Sequence, residues 1–305
     1  MTTAYIEKRV PSSDGIHTLV GRVYLPEGEA VGLFHVVHGM TEHIARYDTF
    51  MQEMARAGYI CFGYDHLGHG LTAAEGEHGF IAHQDGWDYL CRDVAAFADA
   101  MKAEYGRELP YILMGHSMGS FIVRVAVTRY VHPTRLIVMG TGGPNPAAGV
   151  GLAVISIIKK IKGERHISDL VQKLAFGTYN KRFADESDPR SWLTTNEEIR
   201  EIYSADRLCA FRFTVSAMGD LIRLNKMSGE KRCYTATPKD MPVLLVSGTD
   251  DPVGDYGKGV RAVYKGLTSS GVEAELRLYD GARHEILNDI CRDEVIADIL
   301  QFVEK

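Results

Sequence analysis

Cysteine is scarce in this chain and unorganised. The five residues Cys61, Cys91, Cys209, Cys233 and Cys291 are odd in number, far apart and free of C-x-x-C spacing, which argues against a disulfide framework or a cysteine-ligated zinc site and fits a reducing, cytoplasmic compartment. Long apolar runs are also missing. The longest, Ala147 to Ile158, is shorter than the ~20 residues that span a bilayer, and the chain meets Glu7-Lys8-Arg9 before any apolar core develops, so no secretory leader is expected. Positive charge is not in excess: 34 Lys and Arg stand against 40 Asp and Glu, a formal net charge of −6. A nucleic-acid partner would need a clustered basic face, so a small-molecule ligand suits the chain better. Twelve histidines include no H-E-x-x-H pair, and no internal repeat or low-complexity tract occurs. What remains is ordinary globular composition, 45% hydrophobic and 24% charged over 305 residues, enough for one large domain or a domain with an insertion.

Residues 3 to 24 alternate apolar and polar around Pro11-Ser12-Ser13-Asp14-Gly15, which predicts an antiparallel hairpin. The pattern then changes. Val31–His38, Tyr59–Tyr64, Tyr111–Met114 and Leu136–Met139 are short apolar runs of the kind buried on both faces of a sheet. Helix-period segments separate them, near Ile44–Ala57, Trp87–Tyr105 and Ser117–Tyr130. Strand and helix in alternation predict an α/β fold with a mostly parallel twisted sheet. Breakers at Gly142-Gly143-Pro144-Asn145-Pro146 interrupt this alternation until Pro242–Val246. Between them lie four amphipathic stretches, near 147–162, 167–176, 196–204 and 211–226, with no strand signal. An inserted helical cap over residues 144–235 is therefore expected, with a core of 1–143 and 236–305. A helix near Tyr256–Ser269, a strand Ala274–Tyr279 and a helix Glu285–Val303 close the chain.

Gly115-His116-Ser117-Met118-Gly119 lies where a strand pattern gives way to a helical one. A serine in such a turn occupies strained backbone, and flanking glycines prevent collisions around it. Ser117 is thus a candidate nucleophile. A hydroxyl needs a histidine to take its proton and a carboxylate to hold that histidine, in the chain order Ser, Asp or Glu, His. Two loops supply them, each following a strand: Asp250-Asp251-Pro252-Val253, with Asp255 further on, and Gly281-Ala282-Arg283-His284. Open α/β sheets bind ligands at these C-terminal strand ends. Two backbone amides are needed for a tetrahedral oxyanion. Met118 offers one, and Met40, after the run Val31–Val37 and Gly39, offers the other.

The set His38-Gly39-Met40-Thr41-Glu42-His43, Asp65-His66-Leu67-Gly68-His69-Gly70, Gly115–Gly119, Asp251-Pro252-Val253 and Gly281–Glu285 resembles the monoglyceride lipase and lysophospholipase branch of the α/β-hydrolases, which is grouped with the serine aminopeptidases. The resemblance spans nearly the whole chain. It implies the α/β-hydrolase fold and a carboxylic-ester hydrolase acting on an acyl ester, with no metal or organic cofactor. It makes Ser117 the nucleophile, His284 the general base, Asp251 the orienting carboxylate and Met40 and Met118 the oxyanion donors. In its light Glu42 and His43 brace the oxyanion loop, while His66 and His69 are structural.

The same residues admit other readings. Ser117 could be only a helix N-cap and His284 a surface histidine. A proline-type aminopeptidase would need a cap carboxylate facing the substrate amine, for which Glu186, Glu197, Glu198 and Glu201 are candidates. A non-catalytic receptor would need no activated serine. Ala147–Ile161 with Lys159, Lys160 and Lys162 could touch lipid or pack on the core. Trp192, Tyr203, Phe211 and Phe213 could line an acyl pocket or fill the core of the cap.

Overall fold

The computed structural model describes residues 4–305; Thr3, where the alternating pattern begins, lies outside them. β1 (Ile6–Pro11) and β2 (Thr18–Tyr24) pair antiparallel across the expected turn. β3 (Gly32–Val37), β4 (Tyr59–Tyr64), β5 (Tyr111–His116), β6 (Arg135–Met139), β7 (Val243–Gly248) and β8 (Ala274–Tyr279) continue one sheet in the order β1-β2-β4-β3-β5-β6-β7-β8. β2 meets β4 antiparallel, and every pairing from β4 to β8 is parallel. The order reverses at β3, so the loops after β3 and β5 flank the crevice where such sheets bind ligands.

The helices α1 (Asp48–Arg56), α2 (Gly86–Tyr105) and α3 (Met118–Ala126) precede an all-helical insertion between β6 and β7. It holds α4 (Ala148–Lys162), α5 (Asp169–Phe176), α6 (Glu197–Ala205), α7 (Val215–Ser228) and α8 (Lys231–Ala236), and α9 (Lys258–Thr268) and α10 (Arg292–Val303) follow. The continuous apolar runs are explained by a layer on each face of the sheet. Leu33, Leu113, Val138 and Leu245 point to the layer of α2, α3 and α9, while their neighbours Phe34, Met114, Ile137 and Val246 point to that of α1 and α10. Alternate residues serve opposite layers, so both must be apolar.

Several helix boundaries differ from the periodic pattern, each for a local reason. The Ile44–Ala57 pattern divides into a 3-10 turn, Ile44–Tyr47, and α1, with the Ile44 amide donating to Asp65 Oδ1 at 2.7 Å. The pattern from Ser117 ends as regular helix at Ala126. α9 starts at Lys258 because Asp255 and Tyr256 have φ of 47° and 55°, outside the right-handed helical region. The Glu285–Val303 pattern is broken at Asp289, which is extended (φ −122°) while its carboxylate accepts from the amides of Arg283 at 2.8 Å and Thr195 at 3.2 Å. α8, only six residues long, is too short to show a period and was not expected from the sequence.

α7 of the insertion meets the start of α2 through one buried carboxylate. Asp220 lies against Gly86 and accepts from the Trp87 amide. Burial is the largest influence on it and raises its pKa to about 7, against the Trp87 hydrogen bond and the charges of Arg223 and Lys159; Asp85 adds to the rise. A raised carboxyl pKa favours the folded state below the ordinary carboxyl range, and that advantage disappears as pH climbs through about 7. Asp220→Asn, which keeps the acceptor without the charge, is therefore expected to melt above the parent at pH 8 and level with it near pH 4. Melting curves at the two pH values check this, and a variant less stable than the parent at pH 8 would contradict it.

Candidate active site

Ser117 sits between β5 and α3 with φ 54° and ψ −119°, a conformation that costs a non-glycine residue about 1–3 kcal/mol. The turn holds because its flanks have no side chains. A Cβ on Gly115 would overlap the carbonyl of Gly119, and one on Gly119 would overlap the carbonyl of Val37. The Ser117 amide donates to Met139 O at 3.0 Å, tying the turn to β6.

Much of the loop after β3 is held by hydrogen bonds. The Gly39 amide donates to Glu42 Oε1 at 2.5 Å and the Thr41 amide to His69 Nε2 at 3.3 Å. The carbonyls of His38 and Gly39 accept from His66 Nε2 at 3.1 Å and His38 Nδ1 at 2.8 Å, and Thr41 O accepts from the Tyr203 hydroxyl at 2.9 Å. His38 Nε2 accepts from the His66 amide, and His69 Nδ1 donates to Leu67 O. These three buried imidazoles are thus placed as neutral tautomers, and desolvation lowers the pKa of His38 and His69 to about 3. Among the described residues, the Met40 amide has no acceptor. The Met118 amide, at the start of α3, has none either, and both residues line one cavity with Ser117. Free donors at such a point suit a developing negative charge.

Of the candidate carboxylates, Asp251 is the one that reaches His284. Both of its oxygens lie 3.0 Å from Nδ1, and both residues are buried. Asp250 is half-exposed, 3.9 Å from Arg182, and Asp255 is exposed at the cavity rim. Ser117 and His284 share the cavity wall without a hydrogen bond between them. In active sites of this kind that bond commonly forms only when substrate is seated.

A buried charge network joins the two loops. Arg46 donates to Glu42 Oε2 at 2.8 Å and, through both terminal nitrogens, to Glu285 at 2.8 and 2.7 Å. Glu42 also accepts from Tyr47, and His116 Nδ1 lies 3.3 Å from it while His116 Nε2 faces His284 O at 3.3 Å. Burial pulls the His116 pKa down, but the hydrogen bond and charge of Glu42 outweigh it and raise the pKa. Glu42 lies well below its ordinary range: burial raises it, and His116 and Arg46 more than reverse that. The sequence reading anticipated Glu42 but missed Arg46, although its place four residues on from Glu42 was an available signal.

The cavity has a volume of about 860 Å³ and a mostly apolar wall. Trp192, Tyr203 and Phe211 line it, whereas Phe213 is buried against His69. Glu186 pairs with Arg283, chiefly through a hydrogen bond that lowers its pKa to about 2, and Glu197, Glu198 and Glu201 are exposed outside the cavity wall. Among the described residues, His43, Asp206 and Cys209 come within 4.8 Å of one another and could offer ligands to a metal. His43 is already hydrogen-bonded to Asp206 at 2.8 Å, and burial pushes the Cys209 thiol above its usual range, as expected for a structural cluster.

A doubly layered sheet with a strained serine between β5 and α3 defines an α/β-hydrolase. The family profile described as "Serine aminopeptidase, S33" matches residues 28–290, and the chain belongs to that family. It is 26% identical to the monoglyceride lipase of Rattus norvegicus over 284 residues, covering 92% of this chain and 83% of the relative. It is 25% identical to the monoacylglycerol lipase of Mycolicibacterium smegmatis, covering 93% and 92% of the two. A thermostable carboxyl esterase from Bacillus coagulans, solved in complex with glycerol, superposes with a TM-score of 0.93 at 28% identity, covering 99% of both chains.

Proposed function

We propose that this chain is a serine carboxylic-ester hydrolase that cleaves monoacylglycerol-like acyl esters through an acyl-enzyme. In this reading residues 144–235 form the cap over a core of 1–143 and 236–305. Ser117 Oγ attacks the ester carbonyl as its proton passes to His284 Nε2, with Asp251 holding Nδ1–H. The oxyanion lodges on the amides of Met40 and Met118, and the alcohol departs with the proton from Nε2. Water then attacks the acyl carbon as its proton passes to His284 Nε2, and the Oγ–C bond breaks as that proton returns to Ser117 Oγ, releasing the acid. The carrying observation is that Met40, Met118 and Ser117 line one cavity with His284, the two amides lacking an acceptor among the described residues, while Asp251 reaches His284 Nδ1 from behind. The wide apolar cavity and the named relatives favour an acyl chain as the substrate's bulk. Five buried thiols suit a reducing, cytoplasmic setting.

The aminopeptidase reading has less support, because none of the four cap glutamates lines the cavity, the wall carboxylates Glu42 and Glu285 are both engaged by Arg46, and Asp255 is exposed at the rim. Parallel turnover of monoacylglycerols of graded length and prolyl-naphthylamide, with fluorophosphonate labelling, is the deciding experiment. Ester cleavage and label on Ser117 are expected. Amide cleavage alone, or an unlabelled serine, would overturn the assignment.

No helix among the described residues is long and apolar enough to cross a membrane. α4 nevertheless does not bury its whole apolar face in the protein: Val150 is 70% exposed, Ile157 60% and Ile161 70%, beside Lys159, Lys160 and Lys162, and Leu174 of α5 is 69% exposed. Val150 and Leu174 also line the cavity, so this lip could admit a substrate from a lipid surface. Ile157→Ser with Ile161→Ser is expected to slow turnover of vesicle-borne monoacylglycerol roughly five- to twentyfold, given the apolar area two isoleucines can bury. Hydrolysis of a short soluble ester should be unchanged. Equal rates on vesicles would confine the lip to the protein's own packing.

A further inference from the structure

We propose that Trp192 acts on the reaction through His284, stabilising the imidazolium that forms when Ser117 gives up its proton; the inference rests on the hydrolase reading above. The Trp192 and His284 rings lie 5.2 Å apart between centroids, tilted by 40°. That is within the range at which an indole face attracts a cation.

The placement is enforced by the backbone. The Glu285 amide donates to Leu193 O at 2.7 Å, and Arg283 Nη1 donates to Ser191 O at 2.5 Å. Thr195 is joined to Asp289, which also accepts from the Arg283 amide. Residues on both sides of Trp192 are thus fastened to residues on both sides of His284. Tyr179 packs edge-on against the indole, 5.1 Å between centroids.

The charged or titratable groups around His284 are Asp251 from the loop after β7, His116 from β5, Arg283 and Glu285 from its own loop, and Tyr179, whose hydroxyl is held above its ordinary range by burial and by the charge of Asp251. Glu42 and Arg46 reach it through His116 and Glu285, and Glu186 is engaged by Arg283. From the cap, the group packed directly on the imidazole is this uncharged indole. When the proton leaves Ser117 Oγ for Nε2 and the Oγ–C bond forms, positive charge appears beside the indole as negative charge appears at the amides of Met40 and Met118. Because the contact favours charged over neutral imidazole, it is worth more at the transition state than before it.

Trp192 can be probed without changing its packing, since the chain has only two tryptophans. Trp87 lies on α2 outside the cavity wall, so a Trp87→Phe background carrying tryptophan with zero to four ring fluorines weakens one indole face in steps. On a short p-nitrophenyl ester, kcat is expected to fall progressively, about three- to thirtyfold across the series. The acid limb of the kcat/KM profile should move to lower pH by ~0.5–1 unit, because a less stabilised imidazolium releases its proton sooner. Constant kcat and an unmoved acid limb, or a change confined to KM, would overturn the proposal and leave Trp192 a pocket wall. The hydrolase reading is tested separately: it fails if Ser117→Ala still turns over ester.

Discussion

Ser117→Ala is expected to lose ester turnover by about 10⁴–10⁶-fold in kcat, the loss typical when a nucleophile that works as a unit with its base and carboxylate is removed. Folding should be almost indifferent, because the side chain closes no hydrogen bond that the sheet depends on, while the Ser117 amide bond to Met139 remains. Ser117→Gly sharpens the point. With φ at 54° and ψ at −119°, the serine holds backbone that glycine adopts freely, so strain of about 1–3 kcal/mol is relieved against roughly 0.5–1 kcal/mol of added chain entropy. The glycine variant should be equally inactive yet melt level with the parent or up to several degrees above it, since the net gain is about 0–2.5 kcal/mol. Kinetics on p-nitrophenyl esters and thermal melts read both effects. Full activity in either variant would remove Ser117 from the chemistry, and a lower melting point for Ser117→Gly would show that the turn holds no strain.

Arg46→Ala is expected to be the most damaging change away from the reacting atoms. It leaves the buried carboxylates of Glu42 and Glu285 without the guanidinium they share, and breaking a buried pair from one side costs about 3–5 kcal/mol. Melting should drop by roughly 5–15 °C at pH 8. The gap should narrow in acid. The Glu42 carboxyl is held well below its usual range, so its contribution is present above the ordinary carboxyl pKa and lost as pH falls through the depressed value. Activity should fall about 10²-fold even where the variant is folded, because the loops carrying Met40 and His284 lose their common tether. Arg46→Lys should lie between the two, since an ammonium cannot span both carboxylates with a fork. Melts from pH 2 to 8 and kinetics from pH 5 to 8 provide the check, and an alanine variant as stable as the parent at pH 8 would refute the argument.

What was legible in the chain follows from short-range rules. The apolar runs of β3 to β7 and the breakers at Gly142–Pro146 marked a parallel sheet and an insertion, because burial on both faces and loss of helix-forming residues leave marks in a few letters. Ser117 and His284 were legible because each follows a strand in the order the chemistry requires. Helix ends were not, because Asp289 breaks its helix to bond Thr195 and the Arg283 amide, a partner 94 residues away that no local period records.

The sequence by itself determined the class of fold, the strained serine turn with its two obligatory glycines, and the order of hydroxyl, carboxylate and imidazole, since these depend on residue type and on neighbours a few positions apart. Only the tertiary structure decided that Asp251 rather than Asp250 meets His284, that Met40 shares a cavity wall with Ser117, that Arg46 ties that loop to Glu285, and that Trp192 lies against the imidazole. Each of these is a distance between side chains or loops brought together by packing, and such distances exist only once the sheet has folded and the insertion has closed over it.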